Sequence, residues 1–360
     1  MPDVLPHSTE SLPLDDMRRR VRDLLEPKAL LYWMDFLFHV CLAWAALAVT
    51  TSANLGSPLQ IAAYLVTIFA LYRSVIFIHE LTHLNRARFN SFRWIWNLLC
   101  GFPVLLPSFT YSGVHNEHHR KRVYGTGKDG EYYPFASRSP IEIIGFLALN
   151  ALIPALLVIR FVLLTPFGWL SPKLHRLLWQ HASSMTIDAA YKRTPSDRDE
   201  ADWQLQELLA FTYGATAIVL ACLGILPWQV LVVWYVAMVG GLTVNAIRTL
   251  AAHRYGNRQG QPMSISDQFL DSSDIPGFGY LTELWAPIGL RYHATHHLFP
   301  SMPYHNLGKA YRRLLQDFPE THSQATRNSL TTALGQLWRN ARNSQSNVME
   351  HPDPTSNTLR

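Results

Sequence analysis

Residues 59–83 read LQIAAYLVTIFALYRSVIFIHELTH, and this stretch decides the fold. Residues 59–78 are almost wholly apolar and long enough, as a helix, to cross a hydrocarbon core of about 30 Å. The run then ends on His79 and His83, which lie one turn apart on one helical face. An apolar span that delivers two imidazoles to one of its ends reads as a membrane helix feeding a metal site.

Three more runs match it, at residues 30–50, 208–226 and 230–250. Whole-chain composition, 48% hydrophobic and 16% charged over 360 residues, hides them; long apolar runs alternating with charged stretches are what mark an integral membrane protein. The expected fold is an all-α, multi-pass membrane protein. About four transmembrane helices form two hairpins, with interfacial helices and a helical cap that carries the histidines. The polar, mixed-charge N-terminal segment has no cleavable leader pattern, so the first span would act as its own targeting signal.

Charge placement sets an expected orientation. The short connections 51–58 and 227–229 hold no Lys or Arg, whereas Arg18, Arg19, Arg20, Arg22, Lys28, Arg120, Lys121 and Arg122 fall on the other side. The positive-inside rule puts those segments, both termini and the histidines in the cytoplasm. The net charge of +5 then answers anionic lipid headgroups, and no motif supports nucleic acid as a partner. Cys41, Cys100 and Cys222 are too few for an iron–sulfur cluster, which takes about four thiolates, and no disulfide framework is expected.

Residues 1–13 read as disordered. Leu14, Met17, Val21, Leu24 and Leu25 then repeat at helical spacing with arginines between them. That is a basic amphipathic helix lying either on the membrane surface or packed on the rest of the protein. The chain divides into this N-terminal part (1–28), a membrane domain (29–320) and a polar C-terminal tail (321–360), flexible from about Asn343. Residues 171–206 read as a polar segment of two helices with a turn near Thr194 and Pro195. Two apolar stretches remain: 92–109, broken by Gly101, Pro103 and Pro107, and 141–164, holding Asn150, Pro154 and Arg160. The histidines can share one site only if an even number of crossings separates them, so neither stretch can cross singly. Both read as interfacial or re-entrant.

Beyond His79 and His83, two boxes repeat one spacing: His115, His118 and His119, then His293, His296 and His297. Each box turns its imidazoles toward one point. Eight histidines exceed the four ligands of a structural zinc, and the arithmetic points to two ions. Neutral imidazole suits zinc, copper, iron or nickel. Glu80, Asn116 and Glu117 stand beside ligands and could take their free ring N–H groups, or could be solvated polar residues. Without carboxylate ligands, two divalent ions would be expected to share bridging oxygen species, a site suited to dioxygen or water. Two rivals exist. Residues 79–83 also match the zincin motif, with Glu80 as general base of an intramembrane zinc protease, but that leaves six histidines idle. A transport site would need a polar path, for which the spans offer only Arg73 and Asn245, and the reading favoured for Arg73 is that it snorkels to the interface.

The three boxes in order around two hairpins, and the phrase His293-Ala-Thr-His-His-Leu-Phe-Pro300 followed by Pro303, resemble the membrane fatty acid desaturase and hydroxylase superfamily. The resemblance runs from about Leu30 to about Leu315. It implies a mushroom-shaped helical fold, a cytoplasmic diiron centre and oxygen-dependent attack on an unactivated C–H bond, with no catalytic group beyond the metal centre. It also adds His253 as a ninth ligand. Several branches of the family place an Asn four residues before that histidine to hold a metal-bound water; Thr249 stands there instead, so the role does not carry over. Asn245 either substitutes through water or packs helices. His305 is expected off the metals, and His39 as a core histidine or one bonded to a neighbour.

The third box and its Leu-Phe-Pro continuation favour a fatty acyl desaturase, with a lipid hydroxylase as the alternative. The acyl chain would lie in an apolar tunnel, and Trp94, Trp96, Phe102 and Phe109 either line it or form an interfacial belt. The chain carries neither a haem domain nor a dinucleotide fingerprint. Electrons are therefore expected from an external carrier, a ferredoxin or a cytochrome with its reductase. Arg120, Lys121, Arg122, Arg312 and Arg313 would dock that carrier or contact lipid phosphates.

Overall fold

A computed structural model describes residues 12–194 and 200–350, and among these the chain is entirely helical, with only isolated β-bridges. Helices α1 (Leu14–Val21), α2 (Ala29–Ser52), α3 (Pro58–His83), α4 (Asn90–Trp96), α5 (Phe109–His118), α6 (Pro140–Leu149), α7 (Ile153–Leu170) and α8 (Pro172–His181) come first. They are followed by α9 (Glu200–Cys222), α10 (Trp228–Ala252), α11 (Ile265–Asp271), α12 (Gly279–Trp285), α13 (His293–Leu298), α14 (Tyr304–Asp317) and α15 (Leu330–Glu350).

Five helices are long and apolar enough to cross a membrane, one more than expected: α2, α3, α7, α9 from Asp202, and α10. Helices α2 and α3 form a hairpin whose turn uses Gly56 in the left-handed region, with the Ser57 hydroxyl accepting from Gln60 N to start α3. Gly224, also left-handed, turns α9 into α10.

The two ambiguous stretches both dip in and return. After α4 the chain continues as a π-helix over Asn97–Gly101, reverses, and comes back to α5. Asn97 staples the two limbs, donating to Ser108 Oγ at 2.9 Å and accepting from Ser108 N at 2.8 Å. At the tip, Trp234 of α10 donates to Pro103 O at 3.1 Å. Helix α6 descends and turns at Asn150, whose amide caps Phe146 O and Leu147 O. The Tyr235 hydroxyl then donates to Ala151 O at 2.6 Å. Both tips thus meet α10 at adjacent residues, roughly 25 Å from its histidine end at 1.5 Å per residue. Helix α7 carries the chain back: Arg160 pairs with Glu207 in the first turns of α9 at 2.5 Å.

Two readings change and one open alternative is resolved. Arg73 does not snorkel; it is clamped by Asp35 at 2.6 Å and Glu283 at 3.0 Å. Helix α1 packs on the cap rather than lying free, burying Met17 and Val21 in one cluster with Leu307, Ala310 and Leu314 of α14. The tail expected to be flexible from Asn343 is helical through Glu350, with Leu337 and Ala341 packed beside Leu250 and Tyr255. Residues 1–11 and the turn at Pro195 lie outside the described residues. All three cysteines are free.

Candidate metal centre

Four elements converge at one end of the spans. The last turn of α3 carries His79 and His83, and α5 carries His115 and His118 with His119 just past its end. Helix α13 carries His293, His296 and His297. Helix α10 stops at Ala252, so His253 projects from extended backbone rather than from the helix face.

The nine histidines sort into two groups. His79, His83, His115, His119 and His296 form one; His118, His253, His293 and His297 form the other; within each group the ligand nitrogens lie within 4.8 Å of one another. The sorting explains the repeated spacing. In box two the i, i+4 pair His115 and His119 serves the first group and His118 the second. In box three the i, i+4 pair His293 and His297 serves the second group and His296 the first. Boxes two and three therefore each reach both groups from a single helical turn, whereas box one serves the first group alone.

The donor chemistry fits cations. His115 Nδ1 bonds Glu131 Oε1 at 2.9 Å, and His118 Nδ1 bonds Asp129 Oδ2 at 2.9 Å. A proton on Nδ1 leaves a lone pair on Nε2. Yet His115 Nε2 stands 3.0 Å from His83 Nε2 and 3.1 Å from His119 Nε2, while His293 Nε2 stands 2.9 Å from His253 Nε2. Facing lone pairs at that distance repel unless a cation lies among them. His79 Nε2 is buried with no hydrogen-bond partner, as an atom reserved for an ion would be. Burial, with neighbouring imidazoles, holds His115, His119, His253, His293, His296 and His297 well below the usual imidazole range, so they are neutral. Burial also pulls on His118, but Asp129, Glu131 and Asp271 outweigh it and raise it.

Asp129 and Glu131 flank Gly130 in one loop. A Cβ on Gly130 would stand 2.7 Å from Val114 Cγ2 and 2.9 Å from Tyr191 Cγ, so only glycine lets the loop sit this close. Gly130 O also accepts from Ile187 N at 2.7 Å. Burial pushes the Glu131 carboxyl up to about 7, against the opposing pull of His118 and Tyr111. On the other side, the Tyr124 hydroxyl donates to Asp271 Oδ2 and contacts His253 Nδ1, each at 2.9 Å. Sequence reasoning passed over Asp129, Glu131, Tyr124 and Asp271. The available signal was two acids around a glycine ten residues past a histidine box.

The residues expected beside the ligands are placed differently. Asn116 is exposed, and Glu117 accepts from the Tyr191 hydroxyl at 2.8 Å. Glu80 accepts from the Tyr32 hydroxyl at 2.6 Å and from Tyr304 N at 3.2 Å; its nearer approach to a ligand is 3.7 Å, to His79 Nδ1. Tied down in this way, Glu80 is not poised as a protease base. Asn245 accepts from Arg248 rather than meeting a ligand, and Thr249 does the same. His305 is off the centre, accepting from Lys28 N, and His39 bonds Asp35 O.

An apolar cleft leads from His79 and Tyr111 along α3 and α10, past Ile76, Leu242 and Met238. Its open volume is about 60 Å³. Trp96, Phe102 and Phe109 are neither tunnel lining nor belt: each is at most 1% exposed in the packing between helices. Trp94, partly buried, stacks under Arg93.

The chain belongs to the fatty acid desaturase family, whose sequence pattern matches residues 55–328. It is 36% identical over 334 residues to a protein of Caulobacter vibrioides (strain NA1000 / CB15N) described as a ceramide hydroxylase, covering 92% of this chain and 94% of the relative. No solved structure matches. The protein is a multi-pass membrane oxidoreductase of the desaturase and hydroxylase superfamily.

Proposed function

We propose that this protein is an oxygen-dependent lipid hydroxylase acting on a ceramide or a similar long-chain amide. The observation that carries the reading is the full-length likeness to a ceramide hydroxylase, which favours hydroxylation over the desaturation suggested by the third box. The nine histidines would hold two iron ions, His79, His83, His115, His119 and His296 around one and His118, His253, His293 and His297 around the other. Bound there, the irons would supply the oxidising power: one oxygen atom of O2 enters a C–H bond and the other leaves as water, with two electrons and two protons supplied.

The protein's own residues do the rest. Glu131 and Asp129 hold the Nδ1 protons of His115 and His118, fixing each ring so that Nε2 faces inward. The cleft holds the lipid chain against His79 and Tyr111 and keeps water from the reacting carbon. The electrons come from an external carrier, ferredoxin or cytochrome. Exposed Arg120, Lys121 and Arg122, next to His119, offer it a basic surface. Arg313 contributes less to that surface, since Asp23 already pairs with it. With the basic segments inside, this face is cytoplasmic.

The test is mass spectrometry of a saturated ceramide incubated with membranes holding the full chain, O2 and a reducing system. Gain of one oxygen is the expected result; loss of two hydrogens would return the reading to a desaturase.

A further inference from the structure

Arg248 has no place in the metal chemistry, yet it sits where the cleft meets the metal centre. It is 9% exposed and one turn before His253, close enough for its charge to act on His253 and His293. Two arginines set in the apolar helices are neutralised: Arg160 by Glu207 and Arg73 by Asp35 and Glu283. Arg248 has no ion-pair partner among the described residues. Its Nη2 donates to Asn245 Oδ1 and Thr249 Oγ1, each at 2.9 Å, the Tyr72 hydroxyl is also within its reach, and its Nε is buried without a partner. A buried, unpaired guanidinium is costly, and its unused N–H group calls for an acceptor.

The cleft says where that acceptor comes from. Asn245, Arg248 and His79 line its metal end, while Leu71, Ala237 and Met238 line the other. From Arg248 to Ala237 the cleft follows α10 for roughly 16 Å at 1.5 Å per residue. Polar donors sit at one end and apolar side chains along the remainder. A lipid with one polar head and a long tail matches that gradient in only one direction, head toward the metals.

Resting on the hydroxylase reading above, we infer that Arg248, with Asn245, is the polar-head anchor: its guanidinium donates to the amide carbonyl oxygen of the lipid. Because anchor and metal centre share one end of the cleft, the oxygen is placed within the first few carbons of the amide. The tail extends away toward Met238. Arg248 is a binding and positioning residue, and position of attack follows from it.

The experiment uses the full chain in nanodiscs and two probes: a saturated ceramide, and its fluoroalkene isostere, which keeps the amide's shape but loses the acceptor oxygen. Wild-type protein should bind the ceramide about 10- to 100-fold more tightly than the isostere, as a hydrogen bond to a charged group requires. Arg248→Gln should bind both alike with unchanged iron content, and Arg248→Lys should keep part of the preference. Wild-type product should carry its hydroxyl next to the amide, and Arg248→Gln product should spread along the chain. Equal binding of the two probes by wild-type protein would overturn the anchor, as would mid-chain hydroxylation. Loss of iron in both variants would make Arg248 a structural residue and overturn it too. A retained binding preference with no oxygen incorporated would sink the hydroxylase reading and leave the anchor standing.

Discussion

The two histidine groups use the same residue type and the same helical turns, but their surroundings differ. The five-histidine group borders the cleft, through His79, and its His115 leans on a carboxyl raised by burial, Glu131. The four-histidine group is buried at every member and faces Asp129, Tyr124 and Asp271 instead. One group opens on the cleft; the other is sealed. The lesson is that ligand spacing alone makes the groups look interchangeable, and the residues behind the ligands set them apart.

Removing one ligand from each group is the harshest way to break the comparison. His296→Ala and His297→Ala should each abolish turnover, and each should lose about one metal equivalent by elemental analysis. Loss of both ions from either variant would mean that the groups are not separate. Gly130→Ala comes next. Its Cβ has no room beside Val114 and Tyr191, so Asp129 and Glu131 both shift and both groups suffer at once. Glu131→Gln and Asp129→Asn separate them again, each expected to lower activity or metal affinity about 10- to 100-fold, one group at a time.

A milder change sharpens the asymmetry. Gly241 lines the cleft, and a Cβ there would only touch Tyr72 at 3.6 Å, so Gly241→Leu is tolerated but fills the passage. Long-chain substrates should react more slowly, short-chain ones less so, and iron content should not change. Asn116→Ala marks the lower limit. Exposed and facing away from both groups, it should change stability by less than about 0.5 kcal/mol and leave turnover intact.

Much of this architecture was legible in the chain. The convergence of the boxes was, because helical periodicity puts i, i+3 and i+4 on one face and three boxes repeat it. The breaks in the two ambiguous stretches were, because Gly101, Pro103, Pro107, Asn150 and Pro154 interrupt them, although residues 153–170 form one more candidate span than expected. The carboxylates behind the ligands were not: Asp129 and Glu131 lie in a loop whose position depends on packing against Val114 and Ile187, and no local period records that. His253 needed the family resemblance, since it hangs from extended backbone after α10. Helix α15 was misread for a different reason. The Asn, Ser, Thr and Pro content from Asn343 onward suggested a tail, although Leu334, Leu337, Ala341 and Ser344 already fell on one face. Arg73 and Arg160 looked like flaws in apolar helices because their partners, Asp35, Glu283 and Glu207, belong to other elements.

Metal stoichiometry of the full chain, purified from membranes, tests the central claim most directly. Two irons per chain, falling to about one in His297→Ala, is the result this account predicts. A single zinc per chain, unchanged when His297 is removed, would contradict it.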